Sequence, residues 1–325
     1  MYMLRFDMRA PETSPVPPAE LYRAAIEMAE WGEQHGCITV LISEHHTSPD
    51  GYLPSPLVLA SAVAARTTTV PIVVGALLLN FYDPVKLAED MAVLDIVSLG
   101  RVAYIIGLGY RPEEYAMFDV AMAGRGNAIE AKLTALRRAL ASETFDYDGR
   151  TVHVTPAPRT PGGPALLYGG HSLAAARRAG RFGLDFLAEG AAPGLEDAYR
   201  AGAAEAGVEP GACVIPAEAS PTTVFVANDV DRAWERIGPH MLHDAQMYGE
   251  WMGAGHDAAS KSTATTVDEL RAEHGPYRIV TPDEAIAMIR AGQPLPMQPL
   301  CGGTSPEDAW ESLHLIAERV MPAIE

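Results

Sequence analysis

Short apolar runs alternate with longer helical patterns along almost the whole 325-residue chain. This alternation is typical of βαβ units that build a parallel sheet. Each run is nearly all apolar, which indicates strands buried on both faces and favours a closed barrel over a doubly wound sheet. We therefore predict a (β/α)8 TIM barrel in one domain over residues 1–325. Its eight strands are predicted at 4–8, 38–42, 71–77, 102–107, 165–169, 185–189, 223–227 and 296–302.

The helices between these strands begin with capping signals. Asp83 precedes Pro84, and a side-chain acceptor followed by proline at the first helical position is a common helix start. Thr281 and Ser305 each precede a proline and have an acidic residue three positions later, which is the capping-box spacing. Gly100 is placed to end the helix that begins at Pro84.

Two segments interrupt the alternation. Residues 145–154 alternate around Asp148-Gly149, a dipeptide that favours a tight turn, so we predict an inserted β-hairpin. Residues 252–278 are rich in Gly, Ala, Ser and Thr and show little periodicity. Long loops of this kind are commonly lids or disordered segments, so we predict a mobile, lid-like insertion at about 252–278.

The chain has 42 acidic and 24 basic residues and a formal net charge of −18. This negative charge argues against nucleic acid or an anionic membrane surface as a partner. The three cysteines lack C-x-x-C spacing, so neither a disulfide framework nor a zinc knuckle is expected. Neither a signal-peptide pattern nor a membrane-spanning apolar run is evident, and we expect a cytoplasmic protein.

Glu44, His45 and His46 follow the second predicted strand, at the end where β/α barrels place their active sites. Three interpretations are open: packed histidines with a structural ion pair, a catalytic group, or metal ligands. Adjacent residues of an extended chain point to opposite sides, and no H-x-H spacing is present, which disfavours a metal. We therefore expect catalytic residues here and no metal site.

Glycines follow two further strands. Gly107 and Gly109 permit close approach of a ligand to the backbone, although glycines there can also serve only to turn the chain. The motif lacks the third glycine and the downstream acid of a dinucleotide-binding loop. Residues 169–172 lead into a helix, whose free N–H groups and Ser172 hydroxyl favour an anion. The alternative is that Ser172 is an ordinary N-cap.

Six segments match the pattern of one known family in the same order: LISEHH at 41–46, SPLVLASAVAART at 55–67, DPVKLAEDMAVLDIVSLGR at 83–101, GLGYRPEEYAMF at 107–118, YGGHS at 168–172 and the ending PLCGGTSPEDAWESLHLIAERVMP. They span most of the chain. The family that they resemble is the bacterial luciferase-like monooxygenases, which are flavin- or deazaflavin-dependent β/α barrels.

The resemblance implies a role for each site residue. His45 matches the family's catalytic histidine beside the flavin ring, with Glu44 and His46 lining the same pocket. Gly75 and Ala76 match a position where the family often has a cis peptide bond against the ring. The other cofactor contacts that we expect are Gly107, Gly109, Tyr110 and Arg125, with Gly169, Gly170, His171 and Ser172 as the phosphate loop.

Two positions depart from the family pattern. Leu108 and Asn127 stand where arginines contact the cofactor phosphate, and Arg125 is the nearest substitute. Fewer charge-assisted contacts weaken phosphate binding. We therefore expect FMN to bind weakly and to be supplied reduced by a flavin reductase. Arg177 and Arg178, further along the chain, are predicted to lie on the surface.

The expected function is that of a flavin-dependent monooxygenase acting on a small organic substrate with reduced FMN and oxygen. One alternative is a deazaflavin (coenzyme F-420)-dependent reductase or dehydrogenase with the same site. Another is a non-catalytic flavin-binding paralogue or partner subunit, which the missing arginines suggest. The resemblance also implies a homodimer.

Overall fold

The computed structural model describes residues 1–217, 220–252 and 258–324. Its strands are β1 (Tyr2–Phe6), β2 (Cys37–Ile42), β3 (Ile72–Leu78), β4 (Val102–Gly107), β5 (Phe145–Tyr147), β6 (Arg150–Val152), β7 (Leu166–Gly170), β8 (Phe186–Ala188), β9 (Cys213–Val214), β10 (Thr223–Val226), β11 (Tyr277–Val280) and β12 (Leu295–Met297).

The α-helices are α1 (Pro18–Gln34), α2 (Pro56–Arg66), α3 (Pro84–Val97), α4 (Pro112–Met117), α5 (Arg125–Leu140), α6 (Leu173–Arg181), α7 (Leu195–Ala206), α8 (Val230–Met252), α9 (Val267–Ala272), α10 (Pro282–Arg290), α11 (Pro306–Leu315) and α12 (Met321–Ile324). Short 3-10 turns at Leu79–Phe81 and Cys301–Gly303 and a π turn at Ile316–Val320 complete the regular structure. Within the described ranges, no helix is both long and apolar enough to cross a membrane.

The strands of the main sheet are all parallel and run in the order β11-β10-β12-β1-β2-β3-β4-β7-β8-β9. β1 pairs with both β2 and β12, so the last strand of the chain returns to the first, as in a barrel. In the described part no ladder joins β9 to β10, and residues 218–219 of that connection lie outside it. The predicted barrel is confirmed: the eight predicted strands are β1, β2, β3, β4, β7, β8, β10 and β12.

The sequence did not predict β9 and β11. β9 has two residues, too few to show a period. β11 fell between the supposed loop and the helix cap at Thr281. The segment 252–278 also contains α9, which begins with a capping box between Thr266 and Glu269. The insertion is thus partly regular where it is described, and residues 253–257 lie outside the described residues.

The predicted hairpin and helix caps are confirmed. β5 and β6 are antiparallel, and both turn residues have positive φ, 52° at Asp148 and 70° at Gly149, as a type I′ turn requires. The Asp83 carboxylate accepts a hydrogen bond from the backbone N–H of Val85 at 2.8 Å. Thr281 and Glu284 form a complete capping box.

Glu33, near the end of α1, holds the loop that leads into β3. Its carboxylate accepts hydrogen bonds from the backbone N–H groups of Thr68, Thr69 and Val70 at 2.8, 2.5 and 2.8 Å. Burial alone would raise the pKa of Glu33, but these hydrogen bonds outweigh burial and lower the pKa to about 2.

We expect Glu33→Gln to destabilise the fold in a pH-dependent way. Because the pKa of Glu33 is lower in the folded than in the unfolded chain, the stability that it contributes is present at neutral pH and is lost as the pH falls from about 4.5 toward 2. Urea unfolding should give a higher free energy of unfolding for the wild type than for the variant, and this gap should narrow from pH 7 to about pH 3. Glu30→Gln, one turn earlier, is the control. A gap that does not change with pH would contradict the expectation.

Candidate active site

The carboxyl ends of the barrel strands surround a cavity of about 360 Å³. The cavity brings together eight of the predicted site residues: Glu44, His45, Gly75, Ala76, Gly107, Gly109, Tyr110 and Gly169. The other five lie outside its wall, namely His46, Arg125, Gly170, His171 and Ser172.

Three glycines of β3, β4 and β7 line one wall of the cavity. A Cβ atom added to Gly75 would lie 2.8 Å from Cδ1 of Ile105, and one added to Gly169 would lie 2.8 Å from Cγ2 of Ile105. A Cβ atom added to Gly107 would lie 2.6 Å from Cβ of Ala76. Close packing of the strand ends therefore favours glycine at all three positions, most strictly at Gly107 and Gly169. The peptide bond between Gly75 and Ala76 is cis, as the family resemblance implies. At these glycines a planar ring can approach the backbone closely.

His45 faces the cavity from the end of β2, and only 8% of the residue is exposed. Its Nδ1 lies 2.8 Å from Oε1 of Glu114. Burial lowers the pKa of His45, so the imidazole is neutral at neutral pH and donates its Nδ1–H to Glu114. Nε2 has no hydrogen-bond partner among the described residues, and it is the nitrogen left for a ligand.

Glu114, which holds His45, is a residue of the site that the sequence analysis missed. It lies fully buried in the first turn of α4 and also accepts the backbone N–H of His46 at 2.9 Å. Burial alone would raise the pKa of Glu114, but the hydrogen bonds from His45 and His46 and the charge of Arg111 lower it. A signal was present, since Glu114 closely follows the glycines at the end of β4 and so reaches the same rim.

His46 points away from the cavity. Its ring packs edge-on against Phe81 and Phe118, and its Nε2 lies 3.0 Å from Oε1 of Glu44. The other oxygen of Glu44 accepts the backbone N–H of Leu78 at 2.9 Å. The expectation that His46 lines the pocket is thus not met, because Phe81, Phe118 and Glu44 hold its ring outside the cavity wall. Glu44 lines the cavity, but both of its oxygens are hydrogen-bonded within the protein.

Aromatic side chains enclose His45 on its remaining sides. The rings of Tyr52, Tyr110 and Trp251 have their centroids 5.0, 5.5 and 4.9 Å from that of His45. The guanidinium of Arg111 lies over Trp251, 4.1 Å from the ring centroid. These contacts fix the imidazole and limit the access of water to it.

The segment predicted to be a lid contributes to the mouth of the cavity. Its residues Ala258, Ala259 and Ser260 line the cavity. The backbone N–H of Ala259 donates a hydrogen bond to the carbonyl of Glu189, another lining residue, at 2.6 Å. Part of the insertion therefore covers the site.

The predicted phosphate loop lies at the start of α6. Ser172 caps this helix by accepting the backbone N–H of Ala175 at 3.2 Å, so its hydroxyl has the ordinary N-cap role. Nδ1 of His171 lies 3.5 Å from Oε2 of Glu189.

Leu108 and Arg125 are linked by a short chain of hydrogen bonds. Nδ2 of Asn80 donates to the carbonyl of Arg125 at 3.2 Å and to the hydroxyl of Tyr115 at 3.0 Å. That hydroxyl donates to the carbonyl of Leu108 at 2.5 Å. The two positions therefore lie close together, on the side of the cavity where α5 begins.

Arg178 is buried, with 9% exposed, and the surface prediction for it is wrong. Its Nε lies 2.9 Å from Oε1 of Glu130 on α5, and its Nη2 would lie 2.6 Å from a Cβ atom on Gly126. The reason is that α6 packs this face against α5, which the pattern of α6 alone does not reveal. A second guanidinium thus lies near Arg125. Arg177 is exposed, as predicted.

The fold and the site define a β/α barrel with a cavity at its strand ends that suits a flat ring. Residues 2–291 match the family model described as luciferase-like monooxygenase. The chain therefore belongs to the luciferase-like monooxygenase family, a family of oxidoreductases. It is 24% identical to the alkanal monooxygenase alpha chain of Photorhabdus luminescens over 173 residues, 52% of this chain and 48% of that protein. The chain spans half or less of the length of the curated relatives that it matches first.

Two solved structures of similar fold hold different cofactors. The oxygenating constituent of 3,6-diketocamphane monooxygenase from Pseudomonas putida, in complex with FMN, has a TM-score of 0.70 and 21% identity, covering 100% of this chain and 98% of that chain. An F-420-dependent secondary alcohol dehydrogenase, in complex with an F-420–acetone adduct, has a TM-score of 0.67 and 18% identity, with full coverage of both chains. At these identities the similarity establishes the fold.

Proposed function

We propose that the protein is a flavin-dependent monooxygenase that uses reduced FMN and oxygen on a small organic substrate. The observation that carries the proposal is a wall with three glycines, Gly75, Gly107 and Gly169, that shares one cavity with a neutral His45 held by Glu114. Membership of the luciferase-like monooxygenase family supports the reaction class.

The residues of the cavity fit a flavin. Gly75, Ala76, Gly107 and Gly169 would lie against the ring, and the starts of α5 and α6 would receive the phosphate. When bound, FMN supplies the electrons that activate oxygen. The aromatic residues around His45 would exclude water from the reacting atoms.

His45 would accept or hold a proton at Nε2. Glu114 keeps the proton on Nδ1, which leaves the Nε2 lone pair directed at a ligand. Since the pKa of His45 is lowered, this basic form persists below the usual titration range of histidine.

Titration with FMN and with coenzyme F-420, followed by oxygen uptake, tests the proposal. Oxygen uptake that requires the protein, reduced FMN and an organic substrate would support it. Because Leu108 and Asn127 replace the arginines expected at the phosphate, the deazaflavin alternative also stays open. It predicts hydride transfer from F-420 without oxygen uptake. Binding of FMN without any turnover would favour the non-catalytic alternative.

We further propose a homodimer that is served by a separate flavin reductase. Val93, Ile96, Val97 and Leu99 expose 49, 40, 46 and 61% of their surface at the end of α3, and such apolar clusters mark interfaces. The weak FMN binding expected from the sequence requires that the reduced cofactor be delivered. Sedimentation of the wild type as a dimer and of Val97→Asp as a monomer is expected; a wild-type monomer would contradict the dimer.

FMN is expected to protect the lid segment from trypsin. Cleavage after Lys261, next to the cavity-lining residues 258–260, should become slower when FMN saturates the site, because the lid then has a ligand to contact. Cleavage after Arg159, in an exposed loop, is the internal control. Equal cleavage at Lys261 with and without FMN would contradict a lid.

A further inference from the structure

Charged side chains enter the barrel from β1 and from the residues that follow it. Leu4 packs outward against α1, since a Cβ atom on Gly32 would lie 2.8 Å from its Cδ1. Arg5 therefore faces inward, and it lines the cavity. Asp7 and Arg9 follow at the next alternate positions and are almost completely buried.

The charges beyond Arg5 are paired with one another. Nη1 of Arg9 lies 2.6 Å from Oδ2 of Asp50, and its Nε lies 2.7 Å from Oδ1 of Asp244. Oδ2 of Asp7 accepts a hydrogen bond from Nε2 of Gln298 at 2.6 Å. The buried carboxylates are thus held by Arg9 and neutral donors.

Arg5 makes no ion pair within the described part of the chain. Its Nη2 donates to the hydroxyl of Tyr248 at 2.5 Å. A guanidinium has five N–H donors, and the hydrogen bond to Tyr248 uses one of them. The nitrogens of Arg5 are not buried without a partner, and Arg5 lines the cavity, so its remaining donors face the cavity. Burial alone would lower the pKa of Arg5, but Tyr248, Tyr52 and nearby carboxylates raise it, and the charge persists.

One further polar group of the cavity lacks a partner in the described part of the chain. Oγ1 of Thr222 is buried and has no hydrogen-bond partner among the described residues, although Thr222 lines the cavity. Leu41, Leu187 and Met252 give the rest of the wall an apolar character. A ligand that satisfies this cavity has an apolar body and a strongly accepting oxygen.

We propose that Arg5 binds an anionic oxygen of the substrate, so that the substrate class is small organic acids: an apolar body with a carboxylate or an acidic enol or phenol. The inference rests on the proposed function. The glycine wall belongs to β3, β4 and β7, whereas Arg5 lies on β1, beyond β2. This separation assigns Arg5 to the substrate rather than to the cofactor ring. Paired N–H donors on a planar cation match such an oxyanion.

The test uses the full chain without flavin and two acids, benzoate and octanoate, each titrated by calorimetry beside its amide. At least one acid should bind more tightly than its amide. Arg5→Met should weaken that acid by about ten- to a hundredfold and leave the amide unchanged. Arg5→Lys should retain part of the preference for the acid. Arg200→Met, which changes an exposed arginine, should leave the affinity for the acid unchanged. Thermal midpoints show whether each variant folds.

Three outcomes would overturn the inference. One is that neither acid binds better than its amide, a comparison that needs no variant. Another is a folded Arg5→Met protein with unchanged affinity for the acid. The third is an Arg5→Met protein that loses FMN affinity but not acid affinity, which would assign Arg5 to the flavin. Acid binding through Arg5 in a protein that never takes up oxygen would contradict only the proposed function.

Discussion

Replacing His45 by asparagine is expected to lower turnover by about 10²–10⁴-fold, the usual contribution of general acid–base catalysis. The asparagine Nδ2 stands near the position of the histidine Nδ1 and can still donate to the buried carboxylate of Glu114. It has no counterpart of Nε2. The variant therefore separates proton transfer from structural support, and oxygen uptake with reduced FMN and substrate measures the difference.

His45→Ala is a less informative change. The ring is buried among Tyr52, Tyr110 and Trp251, and its loss removes the side-chain hydrogen bond that His45 gives to Glu114. We expect a lower thermal midpoint together with lower turnover, because the change leaves a cavity where the ring was and removes one donor from a buried carboxylate. His153→Asn, at an exposed histidine far from the cavity, is the matched control. Full activity in a folded His45→Asn protein would remove His45 from the mechanism.

The pH profile gives a second readout. Burial lowers the pKa of His45 and Glu114 opposes that shift, so turnover of the wild type should fall as the pH drops through the lowered value. Glu114→Gln removes the opposing charge. The acidic limb of the pH profile of the Glu114→Gln protein should therefore move to still lower pH. A merely structural role of Glu114 would not produce this shift.

The barrel could be predicted because its strands are uniformly apolar and its helices begin with side-chain caps. Both signals are local, and Asp83 and Thr281 cap their helices as expected. β9 and β11 escaped prediction for opposite reasons. β9 is too short to show a period, whereas β11 lies at the edge of a polar segment and owes its place to its partner β10.

The site was predictable only where a residue lies in or just after the carboxyl end of a strand. His45 and the glycines satisfy that condition. Glu114 reaches His45 from a helix, and the burial of Arg178 depends on the packing of α6 against α5, which the sequence does not record. Arg5 did leave a visible signal, because charges at every second position of an apolar strand indicate a polar row inside a barrel.

Leu108→Arg is expected to tighten FMN by about ten- to a hundredfold. The carbonyl of Leu108 is joined through Tyr115 and Asn80 to the start of α5, so a guanidinium at position 108 would lie on the side of the cavity assigned to the phosphate. A hydrogen bond to a charged group contributes about 1.5–3 kcal/mol, and each 1.4 kcal/mol is a tenfold step in affinity.

The wild type should bind FMN with micromolar or weaker affinity and purify largely colourless. Arg178 lies near the site, but its charge is engaged by Glu130, and the helix starts add only about 0.3–2 kcal/mol for an anion. Arg125→Gln should weaken FMN further. Val208→Arg adds the same charge at an exposed position after α7 and controls for non-specific attraction. A wild-type protein that keeps stoichiometric FMN through dialysis, or a Leu108→Arg protein with unchanged affinity, would place the phosphate elsewhere in the barrel.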